Sequence, residues 1–320
     1  MQPDVSFIVA AYNAEEGIAR AVESALAQRD VTVEVVVVDD CSRDRTVEIA
    51  RAFPPEQVKV IALDENRGPG GARNAGIDAA SGRWIAILDS DDTVHSDRLR
   101  RLLHRAEAAN AQIAIDNLEV VEDGAGDPQA MFDANFLEAR AELDLADFIA
   151  GNIMFEEGFS LGYVKPLFER AFIQREGLRY HEALRIGEDY LLLASALARG
   201  GRCIVEPHIG YSYHIRSGSI SRVLELHHVE ALLKADDDFV RAHQLDPLAK
   251  AQQARRTRSL QQAASFLLLV GHLKAGAPLR AAGAALRDPA ALKHLRMPIA
   301  ARLRRLASSL QAPGAAARVR

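Results

Sequence analysis

The sequence has little cysteine, no apolar run long enough to span a membrane, and no excess of positive charge. Its 320 residues include two cysteines, Cys41 and Cys203, which excludes a disulfide framework and is typical of proteins from reducing compartments. One of the longer apolar runs, residues 263–270, is far shorter than the roughly 20 residues of a transmembrane helix. The net charge of −5 does not indicate binding to nucleic acid.

The N-terminal residues also lack the pattern of a secretory signal, in which a basic segment and an apolar segment precede a cleavage site. We therefore expect a cytoplasmic protein. The hydrophobic fraction of 48% and the charged fraction of 26% are typical of globular proteins. A chain of this length can form one large domain or two.

Strand-like and helix-like patterns alternate through the N-terminal part of the chain. Strands are predicted for the apolar runs at 5–11, 33–38, 58–63 and 84–88, and short strands are predicted at 113–115 and 203–205. Helical patterns separate the first four strands, which predicts an α/β fold with an open, mostly parallel sheet and helices on both faces. Ligands of such sheets bind beyond the carboxyl ends of the strands.

Polar side chains follow three of the first four predicted strands. They are Tyr12 and Asn13, Asp39 and Asp40, and the acidic segment 89–92. Because these strand ends meet at one edge of the sheet, we expect the side chains to face one crevice. Mg²⁺ and Mn²⁺ prefer oxygen ligands and are often shared between one or two carboxylates and the phosphates of a substrate. The acidic segment therefore predicts an Asp-x-Asp site for a metal diphosphate. An acidic turn before a helix is the alternative.

A glycine-rich segment, residues 66–71, follows the third predicted strand. It is not a dinucleotide fingerprint, because position 73 is arginine and the segment does not follow the first strand. A Walker motif is also absent, since the sequence contains no Gly-Lys-Ser/Thr. We predict that the backbone N–H groups at the start of a helix over 72–80 lie near a diphosphate, together with Arg67 and Arg73. A tight turn with two solvated arginines is the alternative.

These segments resemble the family-two glycosyltransferases, which are inverting, nucleotide-sugar-using enzymes of the GT-A fold. The resemblance rests on residues 5–13, 36–44, 66–76 and 88–92, and further along on the pair Glu188-Asp189, which looks like the Glu-Asp motif of the family. Together the matching segments span about two-thirds of the chain in the family's order. Cys41 stands where the family more often has Gly or Asn, and this affects no assigned role.

The resemblance implies a donor-binding role for several matching residues. Tyr12 would lie against the nucleotide base, where an aromatic face stacks well. Asp40 would accept hydrogen bonds from the base, with Asp39 nearby. In segment 211–221, Arg216 is preferred to His214 as a diphosphate contact, because arginine stays charged and binds phosphate bidentately. A strand followed by an ordinary turn at 217–219 is the alternative for this segment. The full set of expected donor contacts is Ala10, Tyr12, Asp39, Asp40, Arg67, Arg73, Asp89, Ser90 and Arg216.

The resemblance also implies which acids bind the metal and which act on the acceptor. Asp91 would ligate Mn²⁺ or Mg²⁺, Asp89 would contact the ribose or assist the metal, and Asp92 is a further candidate. Asp189 would be the general base that deprotonates the acceptor hydroxyl, with Glu188 beside it. For this pair the alternative is an acidic helix N-terminus, which the helix dipole favours.

From about residue 222 the composition shifts to Ala, Leu and Arg and predicts a helical appendage, with helices near 222–243, 247–271, 276–287 and 289–310. Pro298 is expected to kink or split the last helix. No acid follows Asp288. The basic residues of this tail are Lys293, Arg296, Arg302, Arg304, Arg305, Arg318 and Arg320. Its apolar residues are Leu292, Leu295, Ile299, Leu303 and Leu306. A basic amphipathic helix can lie on an anionic membrane surface. A helix packed on the catalytic domain is the alternative.

We therefore expect a GT-A-like catalytic domain over 1–221 and a helical region over 222–320. The nucleotide-sugar half would cover about 1–98 and the acceptor half about 99–221. The predicted activity is inverting, metal-dependent hexosyl transfer from a nucleotide-diphospho-sugar, with UDP expected, to a saccharide or lipid-linked saccharide acceptor. The predicted setting is bacterial surface or exopolysaccharide biosynthesis, at the inner face of the membrane.

The predicted chemistry needs a cation and arginines to stabilise the leaving diphosphate, and one carboxylate base on the acceptor side. A nucleotidyltransferase would normally carry a Gly-rich, Lys/Arg-bearing signature after the first strand, and residues 12–15 do not form one. A non-catalytic nucleotide-sugar binding protein is the other alternative. The presence of both Asp91 and Asp189 argues against it.

Overall fold

A single twisted sheet forms the centre of the computed structural model, which describes residues 2–122, 127–156, 158–215 and 224–295. The strands are β1 (Val5–Ala11), β2 (Val33–Asp39), β3 (Val58–Ala62), β4 (Trp84–Asp89), β5 (Thr93–Val94), β6 (Ile113–Glu122), β7 (Gln129–Ala130), β8 (Leu167–Glu169) and β9 (Cys203–Ile215). Their order across the sheet is β3-β2-β1-β4-β8-β6-β9-β5, with β7 beside β6. The first four strands run parallel, whereas β8 pairs antiparallel with both β4 and β6.

Helices follow most strands and continue into the C-terminal region. They are α1 (Ile18–Leu26), α2 (Thr46–Arg51), α3 (Gly68–Ala79), α4 (Arg98–Ala109), α5 (Ala134–Glu138), α6 (Leu145–Ala150), α7 (Arg170–Arg175), α8 (Glu188–Ala198), α9 (Leu226–Ala242), α10 (Pro247–Lys274) and α11 (Pro278–Arg287). Short 3₁₀ helices occupy Leu161–Tyr163 and Pro289–Leu295. In the described ranges no helix is long and apolar enough to cross a bilayer.

Both faces of the parallel strands are covered, as their uninterrupted apolar runs predict. On β2, Val35 and Val37 pack into the core that contains residues of α1, whereas Val36 and Val38 pack against α3. The contact of α3 with β1 is close, because a Cβ atom added at Gly76 would lie 2.3 Å from Ile8. The α/β fold with helices on both faces is therefore confirmed.

Two element predictions are corrected by the pairing of long strands. The strand predicted at 203–205 is the start of β9, which extends to Ile215, and the strand predicted at 113–115 is the start of β6. The two strands pair in parallel along their whole length, so each extends the other beyond its apolar run. The register shifts near Asp116 and Asn117 allow this pairing to continue past an irregular segment.

The C-terminal helices occur close to the predicted positions, and α9 and α10 bury a second apolar cluster with the loop that precedes α8. Its buried members are Leu184, Val229, Leu232, Ala235, Leu260 and Ala263. The predicted helix over 289–310 begins as the 3₁₀ helix Pro289–Leu295. The rest of that prediction, with Pro298, lies outside the described residues.

Candidate active site

The strand order brings three polar strand ends to one edge of the sheet. β1 lies between β2 and β4, so the strands that end at Ala11, Asp39 and Asp89 are neighbours. In register, Ala10 lies opposite both Val38 and Asp89. Tyr12, just beyond β1, is 47% exposed, so the face of its ring is available to a ligand. The three polar strand ends therefore lie at one edge of the sheet, as predicted, and we call the space beyond them the crevice.

Arg73 lies at the centre of the crevice and contacts three carboxylates. Its Nη2 atom donates to Asp89 Oδ1 at 2.7 Å, and its Nη1 atom donates to Glu188 Oε1 at 2.6 Å. The same Nη1 atom lies 3.0 Å from Asp189 Oδ1. Arg73 is buried and stacks over the ring of Tyr180, with 5.2 Å between the guanidinium carbon and the ring centre. One cation thus links the acidic segment to the Glu-Asp pair.

Lys165 makes the same link a second time. Its Nζ atom lies 2.8 Å from Asp89 Oδ2 and donates to Asp189 Oδ2 at 2.9 Å. The residue is buried at the start of the segment that leads into β8. The backbone carbonyl of Lys165 accepts a hydrogen bond from Arg98 Nη2 at 2.6 Å, and Arg98 in turn forms a buried bidentate pair with Asp116. The position of the Lys165 backbone is therefore fixed from the core.

The charges in this crevice shift one another strongly. Burial by itself would raise the pKa of Asp89, but the charges of Lys165 and Arg73 outweigh it and lower the pKa well below its ordinary value. Burial would lower the pKa of Lys165, yet Asp189 and Asp89 raise it above its ordinary range. For Glu188, burial and the neighbouring Asp189 raise the pKa. The three carboxylates face two cations, and each group depends on its partners to remain charged.

The carboxylates of the acidic segment 89–92 differ in their contacts. Asp92 is 1% exposed and accepts hydrogen bonds from the Tyr211 hydroxyl and from the backbone N–H of His214, both at 2.8 Å. Burial, together with Asp89 and Asp91, raises the pKa of Asp92 well above its ordinary value. The Tyr211 hydroxyl also accepts from the backbone N–H of Asp89 at 3.1 Å. Asp92 therefore anchors the turn to β9, which explains its burial.

The side of the crevice near β2 contains two further aspartates. Asp40 accepts hydrogen bonds from the backbone N–H groups of Arg67 and Gly68 at 2.7 and 2.9 Å, so it caps the start of α3. Burial raises the pKa of Asp40 in spite of these two bonds. Asp39 accepts from the Ser42 N–H through Oδ2, whereas its buried Oδ1 atom has no hydrogen-bond partner among the described residues.

Comparison with known proteins identifies the fold and the class of enzyme. Residues 6–172 match the model of glycosyl transferase family 2. The chain belongs to this family. It is 59% identical over 312 residues to the succinoglycan biosynthesis protein ExoO of Rhizobium meliloti, with 97% of this chain and 89% of ExoO covered. The protein is therefore a glycosyltransferase.

Solved structures share the fold. The fragment 1–349 of S. aureus TarS, crystallised in complex with UDP-GlcNAc, matches with a TM-score of 0.64 at 20% identity, covering 89% of this chain and 92% of that one. The mannosyltransferase PcManGT of Pyrobaculum calidifontis, in complex with GDP-Man and Mn²⁺, matches with a TM-score of 0.60 at 19% identity, covering 95% of this chain and 81% of that one. These matches confirm the GT-A-like architecture.

Several predicted site residues of the glycosyltransferase are brought together, and one cannot be placed. The acidic segment and the Glu-Asp pair, about a hundred residues apart in sequence, share one crevice. Arg67 lies at its edge, where it pairs with Glu182 at 2.9 Å. Arg216 lies outside the described residues. The individual roles of these residues remain predictions.

The sequence predicts Asp91 and Asp89 as the ligands of a metal in the glycosyltransferase. Within the described ranges, no group of three or more His, Cys, Asp or Glu side chains is placed to hold a metal ion. Asp92 is bonded to Tyr211 and His214, and Asp89 to Arg73 and Lys165. One carboxylate is still enough for Mg²⁺ or Mn²⁺ when the substrate's phosphates supply the other ligands, so the segment fits a metal that arrives with its donor.

Lys165 and Tyr211 belong to the site but were not predicted from the sequence. Lys165 is a single cation in the otherwise apolar stretch 161–168. A lone cation in such a stretch could have indicated a buried lysine that is paired with carboxylates. Tyr211 lies in a strand of alternating aromatic and polar residues, which gives no such signal. Arg185, whose Nη1 atom donates to Asn66 at 3.1 Å and whose guanidinium lies against Gly68, was also not identified.

Proposed function

We propose that this glycosyltransferase moves a sugar from a UDP-sugar to a hydroxyl of a saccharide or lipid-linked saccharide, with inversion, during exopolysaccharide assembly. The observation that carries the proposal is the double bridge of Arg73 and Lys165 between Asp89 and Asp189. It joins the donor side of the crevice to a carboxylate on a different segment. Polysaccharide assembly is supported by the 59% identity to a protein named for succinoglycan biosynthesis.

The strand ends of β1 and β2 fit a nucleotide base. The exposed ring of Tyr12 offers a stacking face beside the buried Asp39. The Oδ1 atom of Asp39, which has no hydrogen-bond partner among the described residues, can accept a hydrogen bond from a base N–H, which uracil presents at its edge. A ligand that satisfies a buried polar atom recovers the free energy lost by leaving it unpaired. Asp39 thus fits the base contact better than Asp40, whose oxygens bond to the start of α3.

The phosphates need positive charge, because the leaving UDP develops negative charge as the glycosidic bond breaks. A bound Mn²⁺ or Mg²⁺ would supply part of that charge, held by Asp91 with assistance from Asp89. Arg73 already lies in the crevice and can pair with phosphate oxygens. The complex of PcManGT with Mn²⁺ supports metal use within this fold.

Asp189 is the proposed general base. It lies in the first turn of α8, and its side chain is 18% exposed, so an acceptor can reach it. In a direct displacement, the carboxylate takes the proton of the acceptor hydroxyl while the hydroxyl oxygen attacks the anomeric carbon. No protein nucleophile is needed, which agrees with a single carboxylate base on a different segment of the chain from the metal candidates.

The overall proposal is tested by ligand binding and by complementation. The melting temperature of the purified protein would be measured with several nucleotide sugars, each with and without Mn²⁺. UDP-glucose and UDP-GlcNAc are expected to raise the melting temperature when Mn²⁺ is present. Expression of the protein in Rhizobium meliloti lacking ExoO is expected to restore succinoglycan. Donor binding without restoration by the wild type, and without turnover with any tested acceptor, would favour a non-catalytic binding protein.

The first mutational prediction concerns the metal. Asp91→Ala is expected to weaken UDP binding in Mn²⁺ by about tenfold or more, because a carboxylate that shares the metal with the diphosphate is lost. Isothermal titration with UDP, with Mn²⁺ and with EDTA, measures this. The control is Asp78→Ala, which removes an exposed carboxylate paired only with Arg179 in the contacts described. Equal UDP affinity of Asp91→Ala and wild type in Mn²⁺ would remove Asp91 from the metal site.

The proposed membrane contact rests on the C-terminal helices. Leu279 and Leu286, one heptad apart on α11, are 88% and 81% exposed. Arg280 and Arg287 follow them directly, so an apolar stripe lies beside basic side chains. Leucines and cations in this arrangement fit an anionic lipid surface, which also suits the acid-free sequence after Asp288.

Deletion of residues 289–320 is expected to reduce sedimentation with vesicles containing phosphatidylglycerol by about tenfold or more, since each basic residue near the surface contributes about 1 kcal/mol. Vesicles of phosphatidylcholine alone are the control and should bind little of either protein. Equal sedimentation of both proteins with the anionic vesicles would contradict a role for the basic tail.

A further inference from the structure

A buried polar cluster joins the C-terminal helices to the helix that carries Asp189. It consists of Tyr190 on α8, Asp236 on α9, and Gln253 and Arg256 on α10, and we refer to these four residues as the α8 clamp. All four are buried, with exposed fractions of 5% or less. Arg256 packs against the ring of Tyr190, with 3.6 Å between its guanidinium carbon and the ring centre. Planar guanidinium groups stack well on aromatic faces.

Hydrogen bonds connect every member of the α8 clamp. Arg256 Nε donates to both oxygens of Asp236, at 3.3 and 3.1 Å. Gln253 Nε2 donates to Asp236 Oδ2 at 2.9 Å and its Oε1 atom accepts from the Tyr190 hydroxyl at 3.3 Å. Arg256 Nη1 also donates to the backbone carbonyl of Asn152 at 2.7 Å. The cluster is therefore polar but well satisfied, which makes a buried charge pair tolerable.

The same tyrosine is held from α6. Phe148 on α6 stacks on Tyr190 with ring centres 5.3 Å apart and an interplanar angle of 16°. Asn152, whose backbone carbonyl accepts from Arg256, lies just beyond the end of α6. Its Nδ2 atom donates to the Phe148 carbonyl at 2.6 Å, so Asn152 is bonded to the same helix. Residues of α6 and α10 thus contact one side chain in the first turn of α8, and Asp236 of α9 holds the two α10 residues.

The first turn of α8 is also closed from outside by α9. Gly187, which precedes the helix, has a φ of +82°, a conformation that favours glycine. A Cβ atom at Gly187 would lie 2.6 Å from Leu232 Cδ2 of α9, so α9 packs directly against the start of α8. Any rotation of this turn would therefore displace packed atoms of the C-terminal helices.

We propose that the α8 clamp positions Asp189, and that Arg256 and Tyr190 are positioning residues for the transfer step. Tyr190 directly follows Asp189, so the rotation of the first turn sets the direction of both side chains. Arg73 and Lys165 hold the carboxylate of Asp189, while the α8 clamp holds the backbone that carries it. The inference rests on the proposed role of Asp189 as general base. The inference gives α9 and α10 a role in catalysis, although their composition predicts only a helical appendage.

A buried ion pair is weak support for stability as such, because well-packed apolar residues of similar size often replace it without loss. Its distinctive property is a fixed geometry, since the guanidinium, the carboxylate and the amide side chain satisfy one another in one arrangement. Reaction rates are sensitive to displacements of about 1 Å at a reacting group, which can cost about 100-fold. A clamp on the base helix should therefore affect turnover more than donor binding.

The test is Arg256→Lys, which keeps a positive charge near Asp236 but loses the planar contact with Tyr190. We expect the kcat of UDP release from UDP-glucose, with lipid-linked saccharides extracted from Rhizobium meliloti membranes as acceptor, to fall about 10- to 100-fold. The KM for UDP-glucose should stay within about twofold, because the strand ends bind the donor. The control is Arg255→Lys, at the neighbouring exposed arginine that pairs with Glu156.

A second measurement does not depend on activity. Hydrogen exchange of the Leu191 amide, which donates to the Gly187 carbonyl at 3.1 Å, should become about tenfold faster in Arg256→Lys and stay unchanged in Arg255→Lys. The milder variant Tyr190→Phe loses only the bond to Gln253 and should lower kcat about threefold.

Three outcomes overturn the proposal: unchanged exchange at Leu191, unchanged kcat in a folded Arg256→Lys protein, or a rise in KM that accounts for the whole loss of kcat/KM. If the wild type itself releases no UDP, the proposed function fails, and the exchange measurement still decides whether the α8 clamp holds the first turn. Should Arg256→Lys not fold, Tyr190→Phe provides the same comparison of kcat, KM and exchange.

Discussion

Replacing Asp189 with asparagine is expected to lower sugar transfer by about 10²- to 10⁴-fold, the contribution of a general base, while UDP binding in Mn²⁺ stays within about twofold. Asparagine has nearly the shape of aspartate and can still accept a hydrogen bond from Lys165, but it cannot take the proton of the acceptor hydroxyl. Transfer is measured as UDP release with extracted lipid-linked saccharides, and binding by titration calorimetry.

The fold should tolerate this substitution. In the wild type, Asp89, Glu188 and Asp189 face the two cations Arg73 and Lys165. Removing one carboxylate charge leaves two carboxylates opposite two cations, so no cation is left without a partner. A loss of activity in Asp189→Asn would therefore not be explained by an unpaired buried charge.

The comparison variant is Glu188→Gln, at the adjacent residue of the Glu-Asp pair. Glu188 contacts Arg73 but not Lys165 in the described contacts, and its side chain is 9% exposed, so an acceptor has less access to it. We expect a smaller loss of transfer, about tenfold, through a weakened position of Arg73. An Asp189→Asn protein that transfers sugar at the wild-type rate, or a Glu188→Gln protein that alone is inactive, would assign the base to another residue.

Local sequence patterns were sufficient to predict the donor side of the fold. The continuous apolar runs of β1, β2 and β4 indicate buried strands, and the alternation of strands with helices indicates that these strands run parallel. The polar residues just beyond those runs then had to meet at one edge, which is where the structure places Tyr12, Asp39 and Asp89. The role of Asp189 as a general base was predicted from the family resemblance alone. Its local sequence pattern is the same as that of an ordinary acidic residue at a helix N-terminus.

The contacts that could not be predicted are those between distant segments. Arg73 and Glu188 are 115 residues apart, and Tyr211 and Asp92 are 119 apart. No periodicity in one segment reports the position of the other, so the sequence could not show that Asp92 is bonded to β9 rather than exposed to a metal. The α8 clamp has the same property, because Arg256 and Asp236 look like ordinary charges on helices until α10 packs against Tyr190.

Lys165→Met is expected to be the most damaging substitution for stability, at about 3–5 kcal/mol, the usual loss when one partner of a buried ion pair is removed. The variant leaves Asp89, Glu188 and Asp189 with Arg73 alone, so repulsion between carboxylates is no longer offset. Transfer should be lost as well, because Asp189 loses the partner that holds its Oδ2 atom. Urea unfolding at pH 7 measures the stability, and Lys59→Met, at an exposed lysine of β3, is the control.

The pH dependence distinguishes this explanation from a simple packing defect. Lys165 and Arg73 lower the pKa of Asp89 after overcoming the effect of burial, so the stability from its ionised form is present above the unfolded pKa of about 4 and is lost as the pH falls below it. The raised pKa of Lys165 makes its contribution complete below about pH 10 and lost only above that value. The difference in unfolding free energy between wild type and Lys165→Met should therefore be constant between about pH 5 and 9 and shrink toward pH 3. A difference of the same size at pH 3 and at pH 7 would show that the methionine disturbs packing rather than the ion pairs of Asp89.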